Sequence, residues 1–231
     1  MFVNKNFDIK SLDKECSECV FLLDNKIYKF YEFYESDNGN DFILVQNPKF
    51  EFCYVVDKLG LPSRFQYDGE EDIIDSTSII DPGVIVGGTD FSPVIGKDRS
   101  EIIQFPQMGG VKIGKNVLIK YNSMVGKGTF GYTEIDDNTA IDFGCQIGHN
   151  CKIGKNCIIA AGTIIGGSTI IGDNTTIGIG AKIRNGLSIG RNVSIGMGAV
   201  VIKDITDDCV VVGNPAHPIE HEHIMSERGL V

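Results

Sequence analysis

The sequence is short of basic residues and of long apolar runs, and both shortages limit what the protein can be. Its 21 Lys and Arg are outnumbered by 31 Asp and Glu, which gives a formal net charge of −10 and argues against a nucleic-acid partner. No run of about 18 apolar residues is present, and the start, MFVNKNFDIK, becomes polar too soon for an export signal. These absences predict a cytoplasmic protein without a membrane or nucleic-acid partner.

Patterns for disulfides and metal sites are also missing. The seven cysteines are an odd number in a chain without an export signal, so we expect reduced thiols. Cys16 and Cys19 form a CxxC pair, but no second pair follows at the spacing of a zinc ribbon. Of the four histidines, only His149 lies within the repeat described next, whereas a zinc-dependent carbonic anhydrase built on such repeats needs several converging imidazoles. We therefore predict no metal site.

A strict period of six organises the chain from residue 135 to residue 201. Every sixth position is aliphatic, namely Ile135, Ile141, Ile147, Ile153, Ile159, Ile165, Ile171, Ile177, Ile183, Ile189, Ile195 and Val201. Neither a helix nor an ordinary strand has this period, and a second row of mostly small or β-branched residues follows four positions after each aliphatic. The pattern predicts an all-β parallel solenoid of hexapeptide repeats, with three repeats in each coil of about 18 residues.

Residues 1–70 do not follow this period and are predicted to form a small α/β cap. The stretch DFILV at 41–45 predicts a strand. Asn47 and Pro48 then predict the start of a helix, which Gly60 would end.

The period also predicts the other boundaries. The β-helix is predicted over residues 71–206, interrupted by an inserted loop over 87–105 where the period breaks, and 207–231 is predicted to cap the last coil. Before residue 135 the spacing jumps from six residues to ten. Four extra residues are therefore expected to bulge out near Gly126–Tyr132, on the surface where solenoids carry functional insertions.

One stretch of the sequence resembles a known enzyme family. Over 105–156, the PQ pair followed by Gly, the IGxxVxI run, the ten-residue jump, the ID pair and the QIGHNxxIG motif resemble the UDP-3-O-acylglucosamine N-acyltransferases of lipid A synthesis. The segment FILVQNPKFEF resembles the uridine-binding segment of that family, so the resemblance covers roughly 40–60 and 105–205. It implies a left-handed β-helix, a homotrimer with active sites between subunits, and N-acylation of sugars destined for surface polysaccharide such as lipopolysaccharide.

The resemblance also implies roles for particular residues. His149 would be the general base that removes a proton from the acceptor as it attacks a thioester; a surface histidine without a role is the alternative. Asp142, from the matched ID pair, would orient the ring, or else simply close a turn. One coil of about 18 residues places Gly167 beside His149 in the stack, where its amide would donate to the oxyanion; an ordinary corner glycine is the alternative.

Three differences from the lipid A enzymes favour a short acyl-CoA as the donor. Fewer coils precede the PQ pair, Leu187 stands where that family has a second histidine, and VVVGNPAHPI resembles the ending of acetyl-CoA-dependent members. Basic residues gather near this end of the chain, and they are predicted to meet the phosphates of coenzyme A or to be ordinary solvated charges. These residues are Lys182, Arg184, Arg191 and Lys203.

In the cap, Asn47 is predicted to bind uracil and Phe50 to stack on it; the alternative is that Asn47 only begins the helix. The sequence therefore predicts an enzyme without a permanently bound cofactor. It would transfer an acyl group, expected to be acetyl, from coenzyme A to the amino group of a nucleotide-linked sugar. Two alternatives stay open: an acyl-carrier-protein-dependent N-acyltransferase of the lipid A type, and a noncatalytic hexapeptide scaffold.

Overall fold

A computed structural model describes residues 2–3, 20–24, 41–45, 52–53, 72–95 and 102–219. The contacts divide the chain into two compact units, one of residues 1–67 and 91–106 and one of residues 68–90 and 107–231. The larger unit is a parallel β-solenoid, so the predicted fold class is confirmed. The handedness of its winding stays a prediction.

The first unit contains a small parallel sheet and a hairpin. The sheet has the order β1 (Phe2–Val3), β2 (Val20–Asp24), β3 (Asp41–Val45), which confirms the strand predicted at 41–45. Of the helix predicted after Pro48, the described residues Phe52 and Cys53 are helical. Asn47 and Phe50 lie outside the described residues.

The segment predicted as an inserted loop over 87–105 contains regular structure. Strands β7 (Pro93–Ile95) and β8 (Ile102–Gln104) pair as an antiparallel hairpin. Val94 and Phe105 are buried with Cys53 in a small apolar cluster, and the Phe52 and Phe105 rings stack at a centroid distance of 5.9 Å. The hairpin therefore packs within the first unit.

Three parallel sheets form the three faces of the solenoid. The first face contains β4 (Ile73–Ile74), β9 (Gly110–Ile113), β12 (Tyr132–Ile135), β15 (Lys152–Ile153), β18 (Ile170–Ile171) and β21 (Ser188–Ile189). The second face contains β5 (Ile79–Ile80), β10 (Leu118–Ile119), β13 (Ala140–Ile141), β16 (Ile158–Ile159), β19 (Thr176–Ile177), β22 (Ser194–Ile195), β24 (Val210–Val212) and the antiparallel β25 (His217–Pro218). The third face contains β6 (Ile85–Gly88), β11 (Met124–Gly126), β14 (Gln146–Ile147), β17 (Ile164–Ile165), β20 (Lys182–Ile183) and β23 (Val200–Val201).

Short corners join the faces and stack into three edges. We call the edge between the first and second faces the first edge, that between the second and third faces the second edge, and that between the third and first faces the third edge. Ile147 pairs with Ile165, and Ile165 with Ile183, so one coil is 18 residues long, as the period predicted. A residue's position in the period therefore decides the edge on which it lies.

The aliphatic row fills the solenoid. Each of its isoleucines from Ile113 to Ile195 points inward and is at most 4% exposed, while the residue before it points outward. This follows from the alternation of side chains along a strand. Burying one such side chain contributes about 1.5–3 kcal/mol, so the row accounts for much of the stability.

The second, smaller inward row joins successive coils by hydrogen bonds. Thr139 Oγ1 donates to Gly154 O at 2.8 Å, and Cys151 Sγ donates to Gly166 O at 3.3 Å, each to a carbonyl in the next coil. Burial raises the pKa of the Cys151 thiol to about 11 and also raises the pKa values of Cys145 and Cys157, so these cysteines are protonated at neutral pH. They act as packing residues, as their position in the period predicted.

Two buried threonines give opposite predictions for stability. Thr133 Oγ1 is buried without a hydrogen-bond partner in the described part of the chain, whereas Thr139 Oγ1 also accepts from the Cys157 N–H at 3.1 Å. Because an unsatisfied buried hydroxyl is costly, we expect Thr133→Val to raise the free energy of unfolding by about 1 kcal/mol. Thr139→Val should lower it by about 1–2 kcal/mol. Urea denaturation of the two variants tests this, and equal signs would contradict it.

The first edge carries two rows of polar side chains. Asn174 Nδ2 donates to Asn192 Oδ1 at 3.1 Å, within a row of asparagines with φ near +55° to +60° that runs down the edge. Asn adopts this left-handed conformation more readily than most residues. The row consists of Asn116, Asn138, Asn156, Asn174 and Asn192, and ends at Asp208.

The neighbouring row on the first edge alternates in charge. Its members are Lys115, Asp137, Lys155, Asp173, Arg191 and Asp207. Each basic residue donates its backbone N–H to the aspartate of the next coil at 2.8 Å, and Lys155 and Arg191 also form ion pairs with Asp137 and Asp207. The backbone N–H donors lower the pKa values of the Asp137 and Asp207 carboxyls.

Candidate active site

His149 lies on the third edge, in the corner that follows β14. Its backbone N–H donates to Asp90 Oδ2 at 2.7 Å, and its carbonyl accepts from the Ser168 N–H at 2.6 Å. The residue is half-buried. The bond to Ser168 repeats the corner bond of the next coil, from the Gly186 N–H to Gly167 O, and the bond to Asp90 is an addition to that pattern.

Asp90 is positioned by the glutamine of the PQ pair. The buried Gln107 accepts a hydrogen bond from the Asp90 N–H through its Oε1 at 2.7 Å. A Cβ at Gly126 would lie 2.6 Å from Asp90 Oδ1, so glycine leaves the room that this carboxylate needs. Asp90 therefore connects Gln107 of the PQ pair with His149 of the QIGHN motif by hydrogen bonds.

The predicted bulge lies over the same corner. Residues 127–131 connect β11 to β12, and the Lys127 N–H donates to Gly88 O at 3.0 Å while Thr129 O accepts from the Met108 N–H at 2.8 Å. The Thr129 N–H donates to Asn150 Oδ1 at 2.6 Å, and Asn150 Nδ2 donates back to Thr129 Oγ1 at 2.9 Å. This reciprocal pair joins the inserted residues to the residue after His149.

The imidazole is in contact with two neighbours on this edge. His149 Nδ1 lies 3.1 Å from Asn150 Nδ2. A Cβ added at Gly167 would lie 2.6 Å from His149 Nε2, so the ring packs directly against Gly167. The Gly167 carbonyl accepts from the Gly186 N–H, but no described residue accepts a hydrogen bond from the Gly167 N–H. The predicted proximity of Gly167 to His149 is therefore present, with a backbone donor available beside the ring.

Asp142 lies at a different edge. It follows β13 and occupies the second edge, where its Oδ1 accepts from the Phe143 N–H at 2.8 Å. His149 occupies the third edge. The structure therefore does not bring Asp142 to the imidazole, and the position predicted for an orienting carboxylate is taken by the Asn150 amide.

The repeats match a known family of sequence repeats. Residues 132–167 and 168–203 match the model described as bacterial transferase hexapeptide, six repeats. The coils within these two blocks are therefore similar to bacterial transferase hexapeptide repeats. The two matched blocks are of equal length, 36 residues each, and so each spans two coils.

Two curated proteins that are similar to part of this chain are N-acyltransferases by name. A stretch of 64 residues, 28% of this chain, is 41% identical to UDP-3-O-acylglucosamine N-acyltransferase from Shewanella oneidensis. A stretch of 63 residues, 27% of this chain, is 39% identical to the protein of the same name from Caulobacter vibrioides. The chain spans only 18% of the length of either curated relative.

The hexapeptide solenoid is also similar to a solved structure. UDP-N-acetylglucosamine acyltransferase from Campylobacter jejuni superposes with a TM-score of 0.51 at 28% identity, over 69% of this chain and 62% of that one. The similarity extends beyond the stretch shared with the curated relatives.

The predicted basic residues fall into two groups on the hexapeptide repeats. Lys182 points outward from the third face, and Arg184 and Lys203 lie in third-edge corners, on coils that follow the one with His149. Arg191 lies on the first edge, where Asp207 pairs with it at 3.1 Å. Of these residues, Arg184 and Lys203 share an edge with His149, and Lys182 lies on the adjoining face.

Among the described residues, no group of three or more His, Cys, Asp or Glu side chains is arranged to hold a metal ion. In the same residues, no helix has the length and apolar character needed to span a membrane.

Three residues of the site were not predicted from the sequence. Asp90, Thr129 and Asn150 contact the His149 corner, and none was singled out. A signal existed for Asn150, because it is part of the QIGHN motif, and for Thr129, because it lies in the bulge. Asp90 has no such signal, since it lies where the six-residue period is interrupted.

Proposed function

We propose that the protein is an N-acyltransferase whose reacting groups meet at His149. The observation that carries the proposal is the His149 imidazole packed on Gly167, whose backbone N–H has no acceptor among the described residues. Acyl transfer needs a group that can exchange a proton with the reactants. It also needs a donor that stabilises the oxygen of the tetrahedral intermediate, and a backbone N–H can be that donor. The names of the relatives support the same reaction class.

We further propose a coenzyme A thioester, carrying acetyl, as the donor. Lys182, Arg184 and Lys203 support it because they place positive charge on the third edge and third face, near His149 in an otherwise acidic protein. Coils stack at about 4.8 Å, so these residues lie roughly 10–15 Å from the ring, within reach of an extended thioester cosubstrate. Arg191 is removed from this proposal, because it is paired on another edge.

The acceptor is proposed to be an amino group on a nucleotide-linked sugar. The support is the resemblance of the segment around Asn47 and Phe50, whose roles in uracil binding stay predictions. The cytoplasmic location and the absence of a nucleic-acid partner likewise stay predictions from charge and composition. No permanently bound cofactor takes part in the proposed reaction.

A homotrimer is proposed as the working assembly. The outward side chains of the second face are all uncharged, and on the second edge Ile179 is 58% and Met197 77% exposed. Tyr121 and Phe143 stack on this edge at 5.6 Å. A stripe of this kind in a protein of net charge −10 suits contact between identical copies, and a closed ring is the usual outcome of such contacts. The outward residues are Ile79, Leu118, Ala140, Ile158, Thr176, Ser194 and Val210.

The experiment that tests the function is an assay of thiol release from acetyl-CoA with UDP- and dTDP-linked amino sugars as acceptors. We expect thiol release that depends on the amino sugar, together with an N-acetylated product seen by mass spectrometry. The matched control is the same nucleotide sugar with a hydroxyl in place of the amine. Acetyl-CoA that stays intact with every acceptor contradicts the proposed donor.

The second candidate is transfer from acyl carrier protein, which the 41% identity to UDP-3-O-acylglucosamine N-acyltransferase favours. It predicts activity with a long acyl chain on carrier protein where acetyl-CoA is inert. If neither donor reacts, the noncatalytic scaffold remains as the account of the fold.

A further inference from the structure

The bulge of residues 127–131 interrupts the backbone hydrogen bonds between coils on the third edge. At the next corner of this edge, the Ser168 N–H donates to His149 O in the preceding coil. The corresponding bond from the Asn150 N–H is not formed, since no described residue accepts from it. Residues 127–131 bond through their backbone to 108–110 instead. The corner that contains His149 therefore lacks the bond that the preceding coil would supply.

Asp90 supplies a bond to this corner from two coils away. It follows β6, whereas His149 follows β14, and β11 is the strand between them on the third face. Its Oδ2 accepts the His149 N–H at 2.7 Å, and the absence of a side chain at Gly126 leaves room for its Oδ1. A carboxylate accepts a hydrogen bond more strongly than a neutral carbonyl does, so this single contact can hold the corner in place.

Asp90 also lies where the chain passes from one unit to the other. The first unit includes residues 91–106, so the chain leaves the solenoid unit after Asp90 and returns to it at Gln107. The Asp90 N–H donates to Gln107 Oε1 at 2.7 Å, and because a backbone N–H can only donate, the amide oxygen is the atom that faces it. This bond joins the two ends of the inserted segment at the residue that also bonds His149.

We propose that Asp90 is a positioning residue for acyl transfer, which holds the His149 corner in its reactive position while its own backbone is fixed by Gln107. The inference rests on the proposed function and deepens it. Asp90 acts through the His149 backbone N–H and takes no part in proton transfer, so the role of the imidazole itself is not changed.

Asp72 offers a matched comparison within the same unit. Its Oδ1 accepts the Val111 N–H at 2.7 Å, and a Cβ at Gly87 would lie 2.5 Å from its Oδ2. Asp72 thus joins two coils beside a glycine, as Asp90 does, but the N–H that it holds belongs to a buried valine. Variants of the two aspartates therefore separate a general effect on the solenoid from an effect on His149.

Hydrogen exchange of the His149 backbone amide tests the positioning without any substrate. In full-length protein labelled with ¹⁵N-histidine, loss of a signal in His149→Ala assigns this amide among the four histidines. It should exchange at least about tenfold faster in Asp90→Ala and in Gln107→Leu than in the wild type, because each removes a bond that holds the corner. Unchanged exchange in Asp90→Ala would overturn the proposal.

Two further variants control the exchange experiment. Asp90→Asn keeps an oxygen that can accept the His149 N–H, so it should restore slow exchange. Asp72→Ala removes the comparable bond to Val111 and should leave the His149 rate within about threefold of the wild type. Equal acceleration by Asp72→Ala and Asp90→Ala would show general loosening of the coils and would contradict a specific role for Asp90.

The turnover number then shows whether the held position is the reactive one. Asp90→Ala should lower kcat by about 10- to 100-fold and leave KM for acetyl-CoA within about threefold, as expected when a reacting group is misplaced by about 1 Å. Asp90→Asn should recover kcat to within about fivefold of the wild type, and Asp72→Ala should keep it within about threefold. If Asp90→Asn is as slow as Asp90→Ala, the hydrogen bond is not what matters and the proposal fails.

The two measurements also separate this inference from the proposed function. A wild-type enzyme that transfers acetyl, together with an Asp90→Ala variant of undiminished kcat, overturns the inference and leaves the proposed function standing. A wild-type protein that transfers no acyl group from any donor contradicts the proposed function instead. The exchange rates then still decide whether Asp90 holds the His149 corner.

Discussion

His149→Ala should lower kcat/KM for acyl transfer by about two orders of magnitude or more, because it removes the ring that packs on Gly167 in the proposed site. Little stability should be lost, since the ring is half-buried and the backbone bonds to Asp90 and Ser168 do not involve it. The measurement is steady-state thiol release, with thermal unfolding of the same preparation.

The control for this variant is His217→Ala. His217 lies in β25 and is exposed, so its loss should leave kcat/KM within about threefold of the wild type. An active His149→Ala enzyme with the same rate as His217→Ala would remove His149 from the reaction and favour another site on the protein.

Gly167→Ala should lower kcat by about 10- to 100-fold with a smaller effect on KM. Its Cβ would lie 2.6 Å from Nε2 and 2.9 Å from Cε1 of His149, so the ring must turn away. The displaced ring loses its contact with Asn150 and its place at the reacting carbon, and misplacement by about 1 Å is enough for a loss of this size.

Gly131→Ala is the matched control for Gly167→Ala. Gly131 belongs to the inserted residues near the same corner, yet a Cβ there meets no atom within 4 Å. Both variants should keep the wild-type unfolding midpoint within a few degrees. If Gly167→Ala keeps full kcat, the ring does not work from the position in which it packs on Gly167.

Most of the solenoid could be predicted because the same positions of every coil point inward and must be occupied by apolar or small side chains. An aliphatic residue every six positions must point inward in every coil, so counting alone places Ile147 above Ile165. The hairpin of β7 and β8 could not be predicted in this way. It lies where the period stops, and its core includes Cys53, which is 41 residues from Val94 in the sequence.

The same counting explains which parts of the site could be predicted. Gly167 is one full coil from His149 and therefore lies beside it. Asp142 is seven residues before His149, which is close to a third of a coil, so it belongs to another edge. Asp90 reaches His149 across an interruption of the period, and no count of sixes spans that gap.

Because charges alternate along the first edge, a change in the number of coils decides which charges become neighbours there. Neighbours along this row have opposite signs, so removal of a single coil between Asp137 and Asp173 would place two carboxylates next to each other. Removal or duplication of two coils together keeps the alternation. A change in the number of coils inside this row therefore keeps opposite charges next to each other only when coils are added or removed in pairs.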